Sequence, residues 1–343
     1  MRSDNPRSLV DRLWSSGWKA VFVVLLAVAP LFITSSYFVT VIINAMIFTV
    51  LAMSLNVIYG YTGLLSFAQV GFWGLGGYTA ALTATRLGLG PWVGLLIGAG
   101  LCAAVAAALG AVALRLSNHA FVIVSIAFTL LMQLLSQQWI DVTNGPMGIP
   151  GLPTLTVGFG ESAFALDTPR AYYCAVFVFY VCTLAIMRLV LGSRIGMTLK
   201  LIKFDETLAR SYGVRVTRWK LFAAAFAAAF AALAGAMQVF FLTIVDPSIF
   251  DVYYTQIMLV IVIVGGLGSF WPVIWAGFAL TILPELLRTP NEIRMIEYGV
   301  VLIVAVVLFP GGVAAVIERW ASGRKPAPRA VRLERPVSEA PHE

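Results

Sequence analysis

The sequence predicts an all-α protein, a polytopic bundle of about 8–10 transmembrane helices with a short cytoplasmic helix between two of them. Three observations predict it. The chain is 60% hydrophobic and 11% charged over 343 residues, against about 25% charged in an ordinary soluble domain. Its apolar residues fall in continuous runs close to the roughly 20 residues that one helical crossing needs. Its charges gather between those runs.

The first 19 residues are polar and carry Arg2, Arg7, Arg12 and Lys19. The apolar run 20–34 follows. Its Ala27-Val28-Ala29 resembles a signal-peptide cleavage site, but most of the remaining chain is also membrane-spanning, so we read the run as an uncleaved first helix. Further spans are expected over 37–59, 64–84, 91–114, 119–139, 171–191, 221–245, 253–266, 270–287 and 296–317. Backbone polar groups in lipid must pair internally, so each run reads as helix. A barrel would show alternating strands of about 10 residues. The run 253–266 is short for a crossing; it is a full span or half of a hairpin that dips in and returns.

The charges orient the array. Residues 188–220 hold eight Lys and Arg against two acids, Asp205 and Glu206, and 319–335 hold six more basic residues. By the positive-inside rule both segments are cytoplasmic, as is the N-terminus. The connection 140–170 has Asp141, Glu161 and Asp167 against Arg170 alone, and the turn with Asp246 and Asp251 is also acidic; both fit the outside. Ten crossings satisfy these signs with both ends inside, as do eight if two runs are re-entrant. The expected organisation is a cytoplasmic segment 1–19, a transmembrane domain 20–317 containing the loop 193–220, and a disordered basic tail 318–343. The net charge of +7 is thus an orientation signal, and no nucleic-acid partner is expected.

Four segments carry information. Gly60–Ala80, GYTGLLSFAQVGFWGLGGYTA, holds six glycines. Glycine costs about 1 kcal/mol in a helix relative to alanine, so such density serves close helix packing or a broken helix lining a pathway. Thr143–Pro153, TNGPMGIPGLP, cannot form helix and reads as a rigid outer turn, either a plain connection or a docking surface. In Ser193–Lys220, residues Phe204 to Tyr212 form a short helix closed by Gly213. Leu201, Phe204, Leu208 and Tyr212 fall three and four apart, which gives it one apolar stripe. Such a helix lies on the membrane, inserts into a partner's groove, or belongs to a solvated loop whose charge serves topology. Gly265–Ser269, GGLGS, joins two apolar runs and is not a phosphate loop, because Gly-x4-Gly-Lys-Ser/Thr occurs nowhere in the chain.

Catalytic clusters are absent from the sequence. His119 reads as an interfacial histidine, and Cys102, Cys174 and Cys182 as packing residues. No charge reads as lying mid-span, which disfavours a proton relay. Uncharged polar residues do lie in spans, among them Asn44, Asn56, Gln69, Gln133 and Gln238; each must face protein or water.

Taken in order, the segments 56–82, 143–149, 193–214 and 262–288 resemble the membrane permease subunits of branched-chain amino-acid ABC importers, of the LivM-like kind. The resemblance covers roughly residues 40–312. It implies a heteromeric importer with a second permease subunit, two ATP-binding subunits and a periplasmic substrate-binding protein, set in a bacterial inner membrane. ATP and magnesium would belong to the partner ATPase, with no cofactor on this chain and no catalysis by it. The cytoplasmic loop is similar to the coupling helix of such permeases, which puts Asp205, Glu206, Ala209 and Gly213 in matching positions beside Phe204, Leu208 and Tyr212. Asn56, Ser66, Gln69, Thr79 and Gln133 are the candidates for the translocation path. The chain departs from the family at RLSNHAF (115–121), where relatives read Arg-Leu-Arg-Gly and an aromatic, and at Gln69, where many carry histidine. The family also serves urea, short amides and other amino acids. The rival class is a stand-alone channel or secondary transporter for a small neutral solute.

Overall fold

The computed structural model describes residues 21–30, 32, 35–114, 118–157, 164–166, 168–287, 296, 299–304 and 312. The segment 1–19, the tail 318–343 and most of the run 296–317 lie outside the described residues. Twelve helices are named here: α1 (Val21–Pro30), α2 (Ser36–Leu55), α3 (Ala68–Arg86), α4 (Pro91–Ala113), α5 (Asn118–Gln138), α6 (Ile140–Thr143), α7 (Pro169–Gly192), α8 (Arg194–Phe204), α9 (Glu206–Ser211), α10 (Val216–Leu242), α11 (Val252–Gly265) and α12 (Trp271–Leu287). Among the described residues five helices are long and apolar enough to cross a membrane: α2 with its extension to Gly60, α4, α5, α7 and α10. The fold is an all-α polytopic bundle, as expected.

Small residues set the centre of the bundle. α3, α4 and α10 pack on one another, and their glycines lie at the contacts. A Cβ on Gly76 would stand 2.6 Å from the Ala232 carbonyl of α10, and one on Gly98 would stand 3.1 Å from the Gly76 carbonyl. Without bulk between them, helix backbones touch directly, and dispersion takes the place of the hydrophobic effect that lipid does not supply. Of the two readings of the glycine-rich segment, close packing therefore accounts for the glycines of α3. The helix break lies earlier, where residues 63–67 form the non-helical link between α2 and α3. Thr129 and Ser125 of α5 hold that link, donating to the Phe67 carbonyl and accepting from its N–H, each at 3.0 Å.

α2 runs through the middle, against α7, α10, α11 and α12. α1 is fixed by the Tyr173 hydroxyl of α7, which donates to the Leu26 carbonyl at 2.6 Å, and by Phe22 packed on Trp275 and Phe278 of α12. Of the cysteines, Cys102 is buried, whereas Cys174 and Cys182 are exposed on α7. Those two are not packing residues within this chain. An apolar run does not reveal which side of a helix looks inward.

The outer turn is stitched down rather than free. Strand β1 (Ile149–Pro150) pairs antiparallel with β4 (Ile244–Val245), while β2 (Thr156–Val157) pairs with β3 (Phe164–Ala165). Gly148 has φ +68°, a conformation glycine adopts without strain. Its open side lets the turn lie against Asp246. The two acidic segments assigned to one face thus meet. Beyond them Phe250 stacks on Tyr78, with ring centres 5.9 Å apart. The chain has by then descended beside the middle of α3. That descent explains the short run after it, because the 14 residues of α11 start partway down the bundle.

Candidate functional site

Two regions gather polar side chains at opposite ends of α2. At the first, the last turn of α2 widens into a π-helix, Asn56–Gly60. Such π-turns inside helices occur frequently at functional sites. Asn56 is fully buried. Its Oδ1 accepts from the Gly268 N–H at 2.9 Å, and its Nδ2 donates to the Ser269 carbonyl at 2.7 Å. One amide thus clamps the GGLGS turn between α11 and α12. Gly60 and Gly268 touch, since a Cβ on either would stand within 2.8 Å of the other's backbone.

The basic segment docks on this same end. Lys203, near the end of α8, donates from Nζ to the Gly60 carbonyl at 2.7 Å. Lys200 lies over the Tyr61 ring at 5.0 Å. Arg188 of α7 lies 5.4 Å from the centre of the Phe270 ring in the GGLGS connection. Partial burial of its ammonium, and the charge of Lys200, lower the pKa of Lys203 below that of an ordinary lysine.

The short helix differs in its bounds from the expectation. Asp205 breaks it, with φ −157° and ψ 113°, and its carboxylate accepts from the N–H groups of Thr207 and Leu208 at 2.8 and 3.0 Å. This is an N-cap. α9 therefore runs only from Glu206 to Ser211, and Phe204 ends α8. Leu201 and Phe204 are separated from Leu208 and Tyr212 by the cap, so the stripe does not continue through one helix. Gly213 follows with φ +78°, where glycine closes the end as expected. Ala209 faces inward at 0% exposure, while Phe204, Leu208 and Tyr212 are 86%, 40% and 74% exposed. Glu206 anchors the helix by an ion pair to Lys220, itself buried in the first turns of α10. A hollow of about 590 Å³ opens alongside, lined by Gly213, Arg215, Arg218 and Trp219 among others.

The five polar path candidates do not share one wall. Ser66 and Gln69 line a mostly apolar cavity of about 30 Å³ with Ser125, and Gln69 accepts from the Ser54 hydroxyl at 3.2 Å. Asn56 is committed to the GGLGS turn. Thr79 is half-buried and donates to the Leu75 carbonyl of its own helix at 2.7 Å. Gln133 is half-buried on α5.

At the opposite end of α2 a larger cavity of about 220 Å³ opens between α2, α11 and α12. Tyr37, Asn44, Thr281 and Glu285 line it, and the Tyr37 hydroxyl donates to Glu285 Oε1 at 2.5 Å. Nothing local in the sequence singles out this carboxylate, because Glu285 sits inside an apolar run next to Pro284.

Comparison with known proteins agrees with this architecture. Residues 37–309 match the family described as branched-chain amino acid transport system / permease component. The chain is 31% identical over 315 residues to the high-affinity branched-chain amino acid transport system permease protein LivM of Escherichia coli (strain K12), covering 85% of this chain and 73% of the relative. It is also 31% identical to the protein of that name from Salmonella typhimurium (strain LT2), covering 84% and 72%. No solved structure matches the chain. A multi-pass helical bundle with a family match from Tyr37 to Phe309 leaves one assignment: the chain belongs to the branched-chain amino acid transport system permease component family.

Proposed function

We propose that the chain is one permease subunit of an ATP-driven importer in a bacterial inner membrane, and that it carries a branched-chain amino acid or a similar small solute inward. The chain would supply half of the translocation path, paired with a second permease subunit. Two ATP-binding subunits on the cytoplasmic side would hold ATP and magnesium, and a periplasmic binding protein would deliver the solute to the outer turns around 140–157 and 243–251. The basic segment 188–220 and both termini face the cytoplasm in this reading, by the positive-inside rule.

The observation that carries it is the build of α9. A six-residue helix is too short to be stable alone, yet this one is capped by Asp205, pinned by Ala209 and tied to Lys220. It holds Phe204, Leu208 and Tyr212 outward on a rigid base. Exposed apolar side chains on a fixed support suit insertion into a groove on a partner. ATP-driven motion of that partner would then pass through α8 and α9 to the bundle. Ser66 and Gln69 remain the path candidates that share a cavity; Thr79 and Gln133 are half-buried on neighbouring helices.

The test is co-expression with the ATP-binding subunits and purification through a tag on this chain. The ATPase is expected to co-purify, and Phe204→Ala with Tyr212→Ala to lower its yield at least about tenfold, as loss of interface anchors does. Failure of any ATPase to co-purify, with uptake unchanged in Glu206→Gln and Gly213→Val, sinks the reading.

A further inference from the structure

We propose that the hollow beside the first turns of α10 binds an anionic phospholipid of the surrounding bilayer, with Arg215 and Arg218 on its phosphate and a stripe of aromatic rings on α10 against its acyl chains. This needs only that α10 crosses the membrane, and it does not depend on what the chain carries or what drives it. α10 is one of the five helices long and apolar enough to cross.

The basic segment 188–220 holds eight Lys and Arg. Five of them are engaged within the chain. Arg188 lies over Phe270, Lys200 over Tyr61, Lys203 on the Gly60 carbonyl, and Arg210 and Lys220 at Glu206. The side chains of Arg194, Arg215 and Arg218 have no ion pair or hydrogen bond among the described residues. Two of these three converge. Arg215 and Arg218 line one hollow of about 590 Å³, together with Thr198, Trp219 and Phe222. A charge that served orientation alone would need no such convergence. Two guanidiniums on one hollow offer the planar, forked donors that match a phosphate.

The hollow straddles a change of polarity. Arg215 and Arg218 precede Leu221, where the apolar run of α10 begins, and Phe222 lies inside that run. At about 1.5 Å per residue the lining climbs roughly 10 Å from Arg215 to Phe222. Trp219 sits between them, at the level where tryptophan marks the boundary of a bilayer. A water-soluble subunit meets the arginine end of such a hollow and stops short of Phe222. A lipid has the same sequence of polarities as the hollow itself. Basic pockets beside membrane-crossing helices hold anionic lipid headgroups for this reason.

The rings continue beyond the hollow. Arg215, Arg218, Trp219, Phe222 and Phe226 fall three and four residues apart, so they share one side of α10. Trp219 meets Phe222 edge-on with ring centres 6.2 Å apart, and Phe222 stacks on Phe226 at 5.7 Å. Phe226 in turn meets Phe230 at 4.8 Å. Phe222 is exposed, Phe226 half-buried and Phe230 buried. The stripe is a ramp that leads from the guanidiniums toward the bundle. The hollow has the space of about twenty waters at about 30 Å³ each, which is room for a phosphate with its glycerol. The acyl chains must lie outside it, and the ramp is where they cover apolar surface. A free phosphate would occupy the arginines and leave the rings bare.

Native mass spectrometry of the purified full chain in neutral detergent tests this with dioleoyl phosphatidylglycerol and dioleoyl phosphatidylcholine, which share their acyl chains and differ in net charge. The wild type is expected to retain phosphatidylglycerol at least about tenfold better, from about fivefold for each arginine. Arg215→Gln with Arg218→Gln removes the preference. Arg194→Gln removes the same charge outside the hollow and leaves the preference in place. Phe222→Ala lowers retention of both lipids about threefold or more, by loss of covered ring surface. Arg218→Gln alone costs about fivefold and carries the test if the double variant does not fold. Equal retention of the two lipids by the wild type, an equal loss in Arg194→Gln and Arg218→Gln, or displacement of the lipid by equimolar inorganic phosphate each overturn the proposal. Loss of the bound lipid when ATP-binding subunits are added also overturns it, and assigns the hollow to a protein surface.

Discussion

The ammonium of Lys203 and the carbonyl of Gly60 are 143 residues apart in sequence and 2.7 Å apart in space. The bond joins α8 to the last π-helical turn of α2, beside the Lys200–Tyr61 contact. It ties the basic segment to the bundle, so in the proposed importer it transmits motion of α8 and α9. Lys203→Met keeps most of the side-chain bulk and removes the donor. Uptake is expected to fall at least about tenfold, with ATPase co-purification unchanged. The loss corresponds to one charge-assisted hydrogen bond. Unchanged uptake in Lys203→Met would remove this bond from the coupling route.

Asn56 extends the route to α11 and α12. Its side chain satisfies one donor and one acceptor of a buried turn, Gly268 N–H and Ser269 C=O. Asn56→Leu strands both, and each unsatisfied buried group costs about 1–3 kcal/mol. Thermal unfolding in detergent, followed by tryptophan fluorescence, is expected to show a loss of about 2–4 kcal/mol. Asn56→Asp keeps an acceptor for Gly268 but turns a carboxylate oxygen toward the Ser269 carbonyl, so it does not rescue. A destabilisation below about 1 kcal/mol for the leucine variant would mean that the turn is held by other contacts.

These two links show what local pattern conveys and what it does not. The cap at Asp205, the stop at Gly213 and the small-residue face of α3 are local, because capping, positive φ and helical spacing act within a few residues. The short helix expected over 204–212 accordingly lies in place as α9, but its start and its continuous apolar stripe do not hold, since Phe204 is apolar and in phase while the Asp205 cap ends the phase. Lys203 to Gly60, Asn56 to Ser269 and Tyr37 to Glu285 are long-range pairings, set by which helices become neighbours. A single sequence carries no such information. Asn56 therefore reads from the sequence as a polar residue in a span and a path candidate rather than as a clamp on the GGLGS turn, and nothing local singles out Glu285.

Close packing at Gly76 makes a sharper test of the bundle centre. A Cβ there would stand within 2.6 Å of Ala232, backbone included, and a helix backbone does not yield as a side-chain tip does. Gly76→Ala is expected to cost about 1–3 kcal/mol, the range for overpacking, despite the gain of roughly 1 kcal/mol in helix propensity. Gly100, in α4, has nothing within 4 Å of its added Cβ. Gly100→Ala should therefore be neutral or stabilising by up to about 1 kcal/mol. The measurement is the difference in unfolding midpoint between the two variants under one condition. Equal effects would show that α3 and α10 separate more easily than their contact implies.

Glu206 and Lys220 form the anchor of α9, and their burial is unequal. The Lys220 side chain is 7% exposed and that of Glu206 is 35% exposed. Removing Glu206 strands a buried ammonium, whereas removing both charges strands nothing. Full burial would put the single loss at about 3–5 kcal/mol; the solvent at Glu206 screens the pair, so about 1–3 kcal/mol is expected for Glu206→Gln. The double variant with Lys220→Met should recover at least half of that, because a methionine fills the same space without a charge. Arg210, 3.7 Å from the other Glu206 oxygen and largely exposed, adds little. Unfolding of the two singles and the double closes the cycle. Additive losses would mean that the pair has no coupling energy, and that Ala209 and the Asp205 cap hold α9 in place by themselves.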